Sequence, residues 1–297
     1  MPHRKIYRLH LPTRALVLGK RTLLMGVLNI TPDSFSDGGN FLAPERAIKH
    51  ARSLQQSGAD ILDIGAESTR PGSAGISAAE ELRRLLPVLH ALRGKLKIPI
   101  SVDTRKASVA ELAIGAGAEI INDVSGLNHD SRIAEVAARR RVPLILMHMR
   151  GEPRTMQKMP FARNVMKDVK QGLQASIKKA RKAGVAKSQI IIDPGIGFGK
   201  SFRQNYELLQ RLTDLGKLGY PLLVGTSRKG FLGRTLALAK RGASRQIKSV
   251  PPEERIWAIA ATVTASILGG AHIVRVHDVA EMAQVASVAD CLLNPQL

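Results

Sequence analysis

The chain has 297 residues, 44% of them hydrophobic and only 3% aromatic, and a formal net charge of +21. This composition supports a sizeable core of Leu, Ile, Val and Ala, which suits strands covered on both faces by helices. The one cysteine, Cys291, excludes an internal disulfide and a cysteine-rich metal site, as fits a reducing compartment.

The first residues include Arg4, Lys5, Arg8 and Arg14 but no apolar stretch of signal-peptide length. Nothing approaches the ~20 apolar residues of a membrane span, so a cytoplasmic protein with no membrane partner is expected. The charge raises the prospect of a nucleic-acid partner. Basic runs such as RKIYR, ARRRV and KKARK are scattered, however, and lack the aromatic platforms on which bases stack. A solvated basic surface, with no specific nucleic acid, is the simpler reading.

In chain order, IYRLHLPTRALVLGK reads as a short β-hairpin. Eight apolar runs follow, at Leu23 to Leu28, Ile61 to Ile64, Ile98 to Val102, Glu119 to Ile121, Pro143 to Met147, Gln189 to Ile192, Leu222 to Val224 and Ala271 to Val276. Helical patterns separate them. The first carries Pro44 at its start and Gly58 as a stop, and Ser77 with Glu80 makes a capping-box pattern for the second, which Pro87 should kink. Further helices are expected at Ala107 to Ala116, Ser131 to Arg140, Val165 to Ala183, Gln204 to Leu215, Pro252 to Leu268 and Val279 to Leu293. Eight buried strands alternating with helices, with no linker between them, indicate an α/β fold, a (β/α)8 TIM barrel spanning residues 1–297 as one domain. The hairpin would plug its N-terminal end.

Active sites of such barrels lie where strands end. The runs end on Asn29, Asp63 with Glu67, Asp103, Asn122, His148, Asp193, and Arg275 with His277, while Lys229 follows the seventh run in LVGTSRKGFLG. Polar groups at one end of successive strands converge around one mouth. Asp63, Asp103 and Asp193 also fit caps of turns or helices, and Asp123 fits a cap better than a binding role. His148 suits a hydrogen-bonded core position as well as a ligand. Two carboxylates with Asn122 suit a planar heterocycle rich in N–H donors. Arg275 and His277 alternate along a strand and suit a phosphate or pyrophosphate, with an arginine-carboxylate pair as the ordinary alternative. Asn29 offers an oxygen to Mg²⁺, although no carboxylate cluster of metal-binding spacing accompanies it. DPGIGFGKS matches neither the P-loop nor the dinucleotide fingerprint and instead reads as a loop of close backbone approach that exposes Phe198. The polar loops TPDSFSDGGNF and AESTRPGSAG, with Phe35 and Arg70, suit a lid.

MGVLNITPDSFSDGG, GADILDIGAESTRPG, SVDTRK, INDVSG, DPGIGFGK, GTSRKGF and RVHDV, in this order from about Leu23 to Ala280, closely resemble the dihydropteroate synthase family of pterin-binding enzymes. The resemblance implies condensation of 6-hydroxymethyl-7,8-dihydropterin pyrophosphate with p-aminobenzoate to give 7,8-dihydropteroate and pyrophosphate. It implies that Asp103, Asn122 and Asp193 hold the pterin, with Met147 and Gly225 in the pocket wall. Lys229 would reach the pterin and border the aminobenzoate. Arg275, His277 and Asn29 would take the pyrophosphate with Mg²⁺. Phe35, Thr69, Arg70, Pro71 and Phe198 would shape the aminobenzoate site, which sulfonamides mimic, and Asp37 and Arg70 belong to loops over the reacting centre. The family often has serine after the lysine of SRK; here Gly230 puts aminobenzoate carboxylate affinity in question.

Rival readings are a pterin-binding methyltransferase of the same barrel family, a Schiff-base aldolase using Lys229, and a basic nucleic-acid binder. The aldolase is disfavoured because Arg228 and a glycine turn do not suggest a dry pocket around Lys229. Small and β-branched residues around Trp257 suggest a homodimer through late helices.

Overall fold

The computed structural model describes residues 4–30, 42–69, 72–157, 161–239 and 249–296. The expected hairpin forms from β1 (Tyr7–His10) and β2 (Ala15–Leu18), antiparallel with Tyr7 opposite Leu18, and its turn is closed by the Leu11 N–H on Arg14 O at 2.8 Å. The eight apolar runs become β3 (Leu23–Asn29), β4 (Ile61–Gly65), β5 (Ile100–Asp103), β6 (Ile120–Asp123), β7 (Leu144–Met147), β8 (Ile190–Asp193), β9 (Leu223–Val224) and β10 (Ile273–Val276). All pair in parallel, in the order β8-β7-β6-β5-β4-β3-β10-β9, and a single bridge from Ile192 to Leu222 brings the two edges together. The result is a nearly closed (β/α)8 barrel.

Helices α1 (Leu42–Gln56), α2 (Ala78–Leu92), α3 (Ala107–Gly115), α4 (Ile133–Arg140) and α5 (Val165–Lys182) follow the expected pattern. Ser77 caps α2 by accepting from the Glu80 N–H at 3.2 Å, but the return half of the capping box does not form, because the Glu80 carboxylate turns to Arg83 and Arg84. Pro87 stays inside the continuous α2. The single helix expected over 204–215 is two, α6 (Phe202–Gln210) and α7 (Leu212–Gly216), broken at Arg211. Its true start is a full capping box at Ser201 and Gln204. A helix not expected at all, α8 (Gly230–Ala239), begins on the glycine read as a turn; burial of Phe231 and Leu232 holds it down. A 3-10 turn at Pro252–Arg255 leads into α9 (Ile256–Leu268), and α10 (Val279–Leu293) closes the chain.

Strand residues alternate between two cores. Leu24, Leu28, Leu62, Ile64, Val102, Ile121, Leu144, Leu146, Ile190, Ile192, Val224, Val274 and Val276 face outward into the helix layer. Leu23, Met25, Ile61, Ile120, Ile145, Ile191, Leu223 and Ile273 face inward and join Leu9, Leu11 and Leu18 of the hairpin segment. These inward residues lie early in their strands, so the hairpin does plug the N-terminal end. No helix among the described residues is long and apolar enough to cross a membrane.

Candidate active site at the C-terminal end of the barrel

One further step of two residues along each strand reaches the next inward layer, and its character changes. Ile61 is followed by Asp63, Ile120 by Asn122, Ile145 by Met147, Ile191 by Asp193, Leu223 by Gly225 and Ile273 by Arg275. Asn29, Gly65, Asp103 and Asn122 are Cα partners across four adjacent strands, and Met147 is the partner of Asp193. The register therefore places Asn29, Asp103, Asn122, Met147 and Asp193 together on the inward face at the C-terminal end of the barrel.

Arg275 joins them. Its Nε donates to Asp63 Oδ2 at 2.7 Å and its Nη2 to Asp103 Oδ2 at 3.0 Å, while Asn122 Nδ2 donates to the same Asp63 oxygen at 3.1 Å. The arginine-carboxylate pair held open as an alternative is thus present, and Asp63 is no cap but a fully buried partner. Asp123, on the outward parity, is the turn cap expected of it: it accepts from Ser125 N at 2.8 Å, Ser125 Oγ at 2.6 Å and Leu127 N at 2.6 Å. Asp193 does both jobs, facing the cavity and accepting from Gly195 N at 2.7 Å through Oδ1.

Burial sets the electrostatics. Desolvation pushes Asp193 up to about 6 against the Gly195 N–H and the nearby Lys229, and pushes Asp103 up to about 7, with Arg275 opposing and Asp63 adding to the rise. Burial would lower Arg275, but Asp63 and Asp103 outweigh it and hold the guanidinium above its usual range. Lys229 falls to about 8, first by desolvation and then by the Arg275 charge. Its Nζ stands 3.9 Å over the Phe198 ring. The neighbouring Arg228, at φ 59°, turns outward to Asp278 at 2.7 Å. Lys229 is therefore half-buried against Phe198, and its surroundings do depress the lysine, contrary to the premise used against the aldolase. The glycine turn that suggested it is the first turn of α8.

Two residues that sequence reasoning passed over complete the surroundings. Lys200, the last residue of DPGIGFGK, is buried and donates to His148 O at 2.7 Å, with His148 Nδ1 at 2.9 Å. His148 thus takes the hydrogen-bonded core role. Gly195 and Gly199, at φ 64° and 66°, let this loop close on its neighbour: a Cβ on Gly195 would sit 2.0 Å from His148 O, and one on Gly199 2.2 Å from Arg150 O. Ser227 Oγ lies 2.9 Å from His277 Nδ1 and accepts from His277 N at 3.3 Å, fixing the imidazole just past β10. The signal for Ser227 was its place in GTSRKG; Lys200 had none beyond an unexplained charge in a glycine loop.

Asn29 is half-buried at the end of β3, and Thr69 is half-buried in the loop after β4. Glu67 turns away from the cavity to bind Arg105 at 2.8 Å and Lys106 at 2.6 Å. Phe35, Asp37, Arg70 and Pro71 lie outside the described residues. Among the described residues no group of three or more His, Cys, Asp or Glu side chains could hold a metal ion.

Residues 25–277 match the family of pterin binding enzymes. A dihydropteroate synthase from Synechocystis sp. is 49% identical over 274 residues, spanning 92% of this chain and 91% of that protein. Among solved structures, a Xanthomonas albilineans dihydropteroate synthase with 4-aminobenzoic acid is similar with a TM-score of 0.86 at 40% identity, over 98% of this chain and 99% of that one. A Yersinia pestis dihydropteroate synthase in complex with a sulfonamide drug has the same TM-score and identity, over 96% and 98%. With the barrel and its acceptor-lined mouth, these matches show that the chain belongs to the pterin-binding enzyme family, among its dihydropteroate synthases.

Proposed function

We propose that this chain condenses 6-hydroxymethyl-7,8-dihydropterin pyrophosphate with p-aminobenzoate to form 7,8-dihydropteroate and pyrophosphate. The observation that carries the reading is the inward layer itself: Asp103, Asn122 and Asp193 share one face of the barrel's C-terminal end, with Arg275 bound to Asp103. Acceptors so arranged suit the N–H edge of a pterin, with Met147 and Gly225 as wall.

The C–O bond from the pterin methylene to pyrophosphate breaks first, its electron pair leaving with the pyrophosphate. The arylamine lone pair then forms the C–N bond, and the amine proton is released. A methylene cation conjugated with the ring is stabilised by the Asp103 and Asp193 carboxylates. Arg275 and His277 bind the departing anion, while Lys229 reaches the pterin and borders the aminobenzoate. The arylamine is already nucleophilic, so no general base is required. Phe35, Thr69, Arg70, Pro71 and Phe198 would shape the aminobenzoate site, with Asp37 and Arg70 on loops over it, and this site is where a sulfonamide would compete.

Asn29 presents one oxygen, which fits Mg²⁺, a hard cation that keeps waters and substrate phosphate oxygens, and does not fit a closed protein cage. When bound, Mg²⁺ would neutralise charge on the pyrophosphate. The enzyme would work in the cytoplasm as a homodimer, with the exposed Trp257 of α9 at the contact.

Pyrophosphate release assayed with both substrates tests the reaction. Release should need p-aminobenzoate and the dihydropterin pyrophosphate together. Release from neither combination, or methyl transfer from a methylated folate instead, would favour the methyltransferase reading. Borohydride trapping at Lys229 would favour the aldolase.

A further inference from the structure

Asp63 is the residue that the proposed reaction leaves without a task. Its exposure is 0%, and one oxygen, Oδ2, accepts from both Arg275 Nε and Asn122 Nδ2. Its other oxygen, Oδ1, has no hydrogen-bond partner among the described residues. A carboxylate this deep is a poor device for stability, because a buried ion pair seldom outperforms apolar residues of similar volume and an unsatisfied oxygen adds a cost. Two residues earlier on the same strand and the same parity, the barrel interior is filled by Ile61. An apolar side chain is therefore the ordinary solution at this depth.

What Asp63 does determine is orientation. A carboxylate paired with a guanidinium only accepts hydrogen bonds, whereas a side-chain amide has a donating and an accepting end. Asn122 must therefore turn Nδ2 to Asp63, which directs Oδ1 to the opposite side. Arg275 is fixed in the same way: with Nε on Asp63 and Nη2 on Asp103, its guanidinium plane is set by two carboxylates.

We propose that Asp63 is a positioning residue that sets the hydrogen-bond polarity of the pocket. By accepting from Asn122 Nδ2 and Arg275 Nε, it makes Asn122 an acceptor toward the ligand. The pocket then offers acceptors from Asp103, Asn122 and Asp193 together, and it selects a ring edge built from N–H donors over one carrying a carbonyl in their place. Without Asp63 the Asn122 amide is free to present either end, and that discrimination is lost.

The inference rests on the pterin reading of this cavity, and the experiment separates the two. Calorimetric Kd values are measured for a dihydropterin pyrophosphate and for a lumazine, which carries an oxo group in place of the pterin 2-amino group, on the full chain and on Asp63→Asn. The wild-type chain should prefer the pterin. Asp63→Asn should bind the pterin about tenfold or more weakly, the worth of one hydrogen bond to a charged group, and should lose most of its preference over lumazine. A general loosening of the barrel would weaken both ligands alike and keep their ratio, and that result would overturn the proposal, as would pterin affinity within twofold of wild type. If Asp63→Asn does not fold, a structure of the wild-type pterin complex decides: Asn122 Oδ1 toward a ring N–H supports the proposal and Nδ2 toward the ring overturns it. A wild-type chain that binds neither ligand would take down the pterin reading as well.

Discussion

The barrel interior has two layers made from the same strands with the same side-chain parity, and they are built to opposite rules. At the N-terminal end, Leu9, Leu18, Met25, Ile61, Ile120 and Ile191 are nearly or fully buried and carry no polar atom to satisfy. Two residues further on, Asp63, Asn122 and Asp193 are buried almost as deeply but must find partners or a ligand. The first layer gains stability from area removed from water. The second gives up some of that gain to hold charges in low dielectric, where they act strongly on whatever enters. Stability and chemistry are thus separated by one pleat, about 7 Å of strand.

The sharpest way to break this comparison is at Arg275, which belongs to both accounts. Arg275→Ala should reduce kcat/KM by about a thousandfold, as expected for loss of a charge that stabilises a leaving group. It should also cost about 3–5 kcal/mol in urea melts, because Asp63 and Asp103 are left facing each other unpaired. Asp193→Ala should cut turnover by about a hundredfold but cost only about 1 kcal/mol, having one hydrogen bond to lose, that from Gly195 N. Equal destabilisation by the two variants would contradict the network described here.

In the apolar layer the effects should reverse. Leu18→Ala, at a residue with 0% exposure in the plug, should lower stability by about 2–5 kcal/mol with kcat/KM within about twofold of wild type. A large loss of activity in the folded variant would mean that the two layers are coupled.

The pH dependence of pterin affinity sharpens the electrostatic side. Asp193 and Asp103 sit at about 6 and about 7, above ordinary carboxylates, so both gain protons as pH falls through that range. A ligand that needs both ionised should bind up to about tenfold more weakly per pH unit between about 7 and about 6, and up to about a hundredfold per unit below about 6. Lys229, lowered to about 8, loses its proton above that value, and its contribution to pterin affinity should decline there. A bell-shaped affinity profile between these limits is expected by calorimetry; a flat one from pH 5 to 9 would show that these groups do not titrate with binding.

The smallest expected effect concerns Gly230. A Cβ there meets nothing within 4 Å, and the residue opens α8 with no positive φ. Gly230→Ser should fold normally and lower KM for aminobenzoate by about threefold, one modest hydrogen bond. An unchanged KM would mean that the backbone N–H already serves the carboxylate.

Much of this molecule was legible in its residues. Run lengths and turn punctuation located the ten strands of the described residues, and polar residues at strand ends picked out Asp103, Asn122, Asp193 and Arg275, which share the inward face. Asp123 was readable as a cap because its partners, Ser125 and Leu127, are its near neighbours in sequence. Asp63 was not readable as a partner of Arg275, since 212 positions separate them. Lys200 was missed for the same reason, its partner His148 being 52 positions away. The helix from Gly230 was missed because a glycine beside two charges resembles a turn until Phe231 and Leu232 have a core to enter.

Sequence alone determined the periodicities, the punctuation and the chemical types at each strand end, because these depend on covalent geometry and on neighbours within a few residues. Tertiary structure alone decided which carboxylate faces which cation, which amide end turns inward and how far each pKa moves. Those outcomes depend on distance and dielectric across the barrel, quantities that exist only once β10 has closed against β3 and brought Arg275 to Asp63.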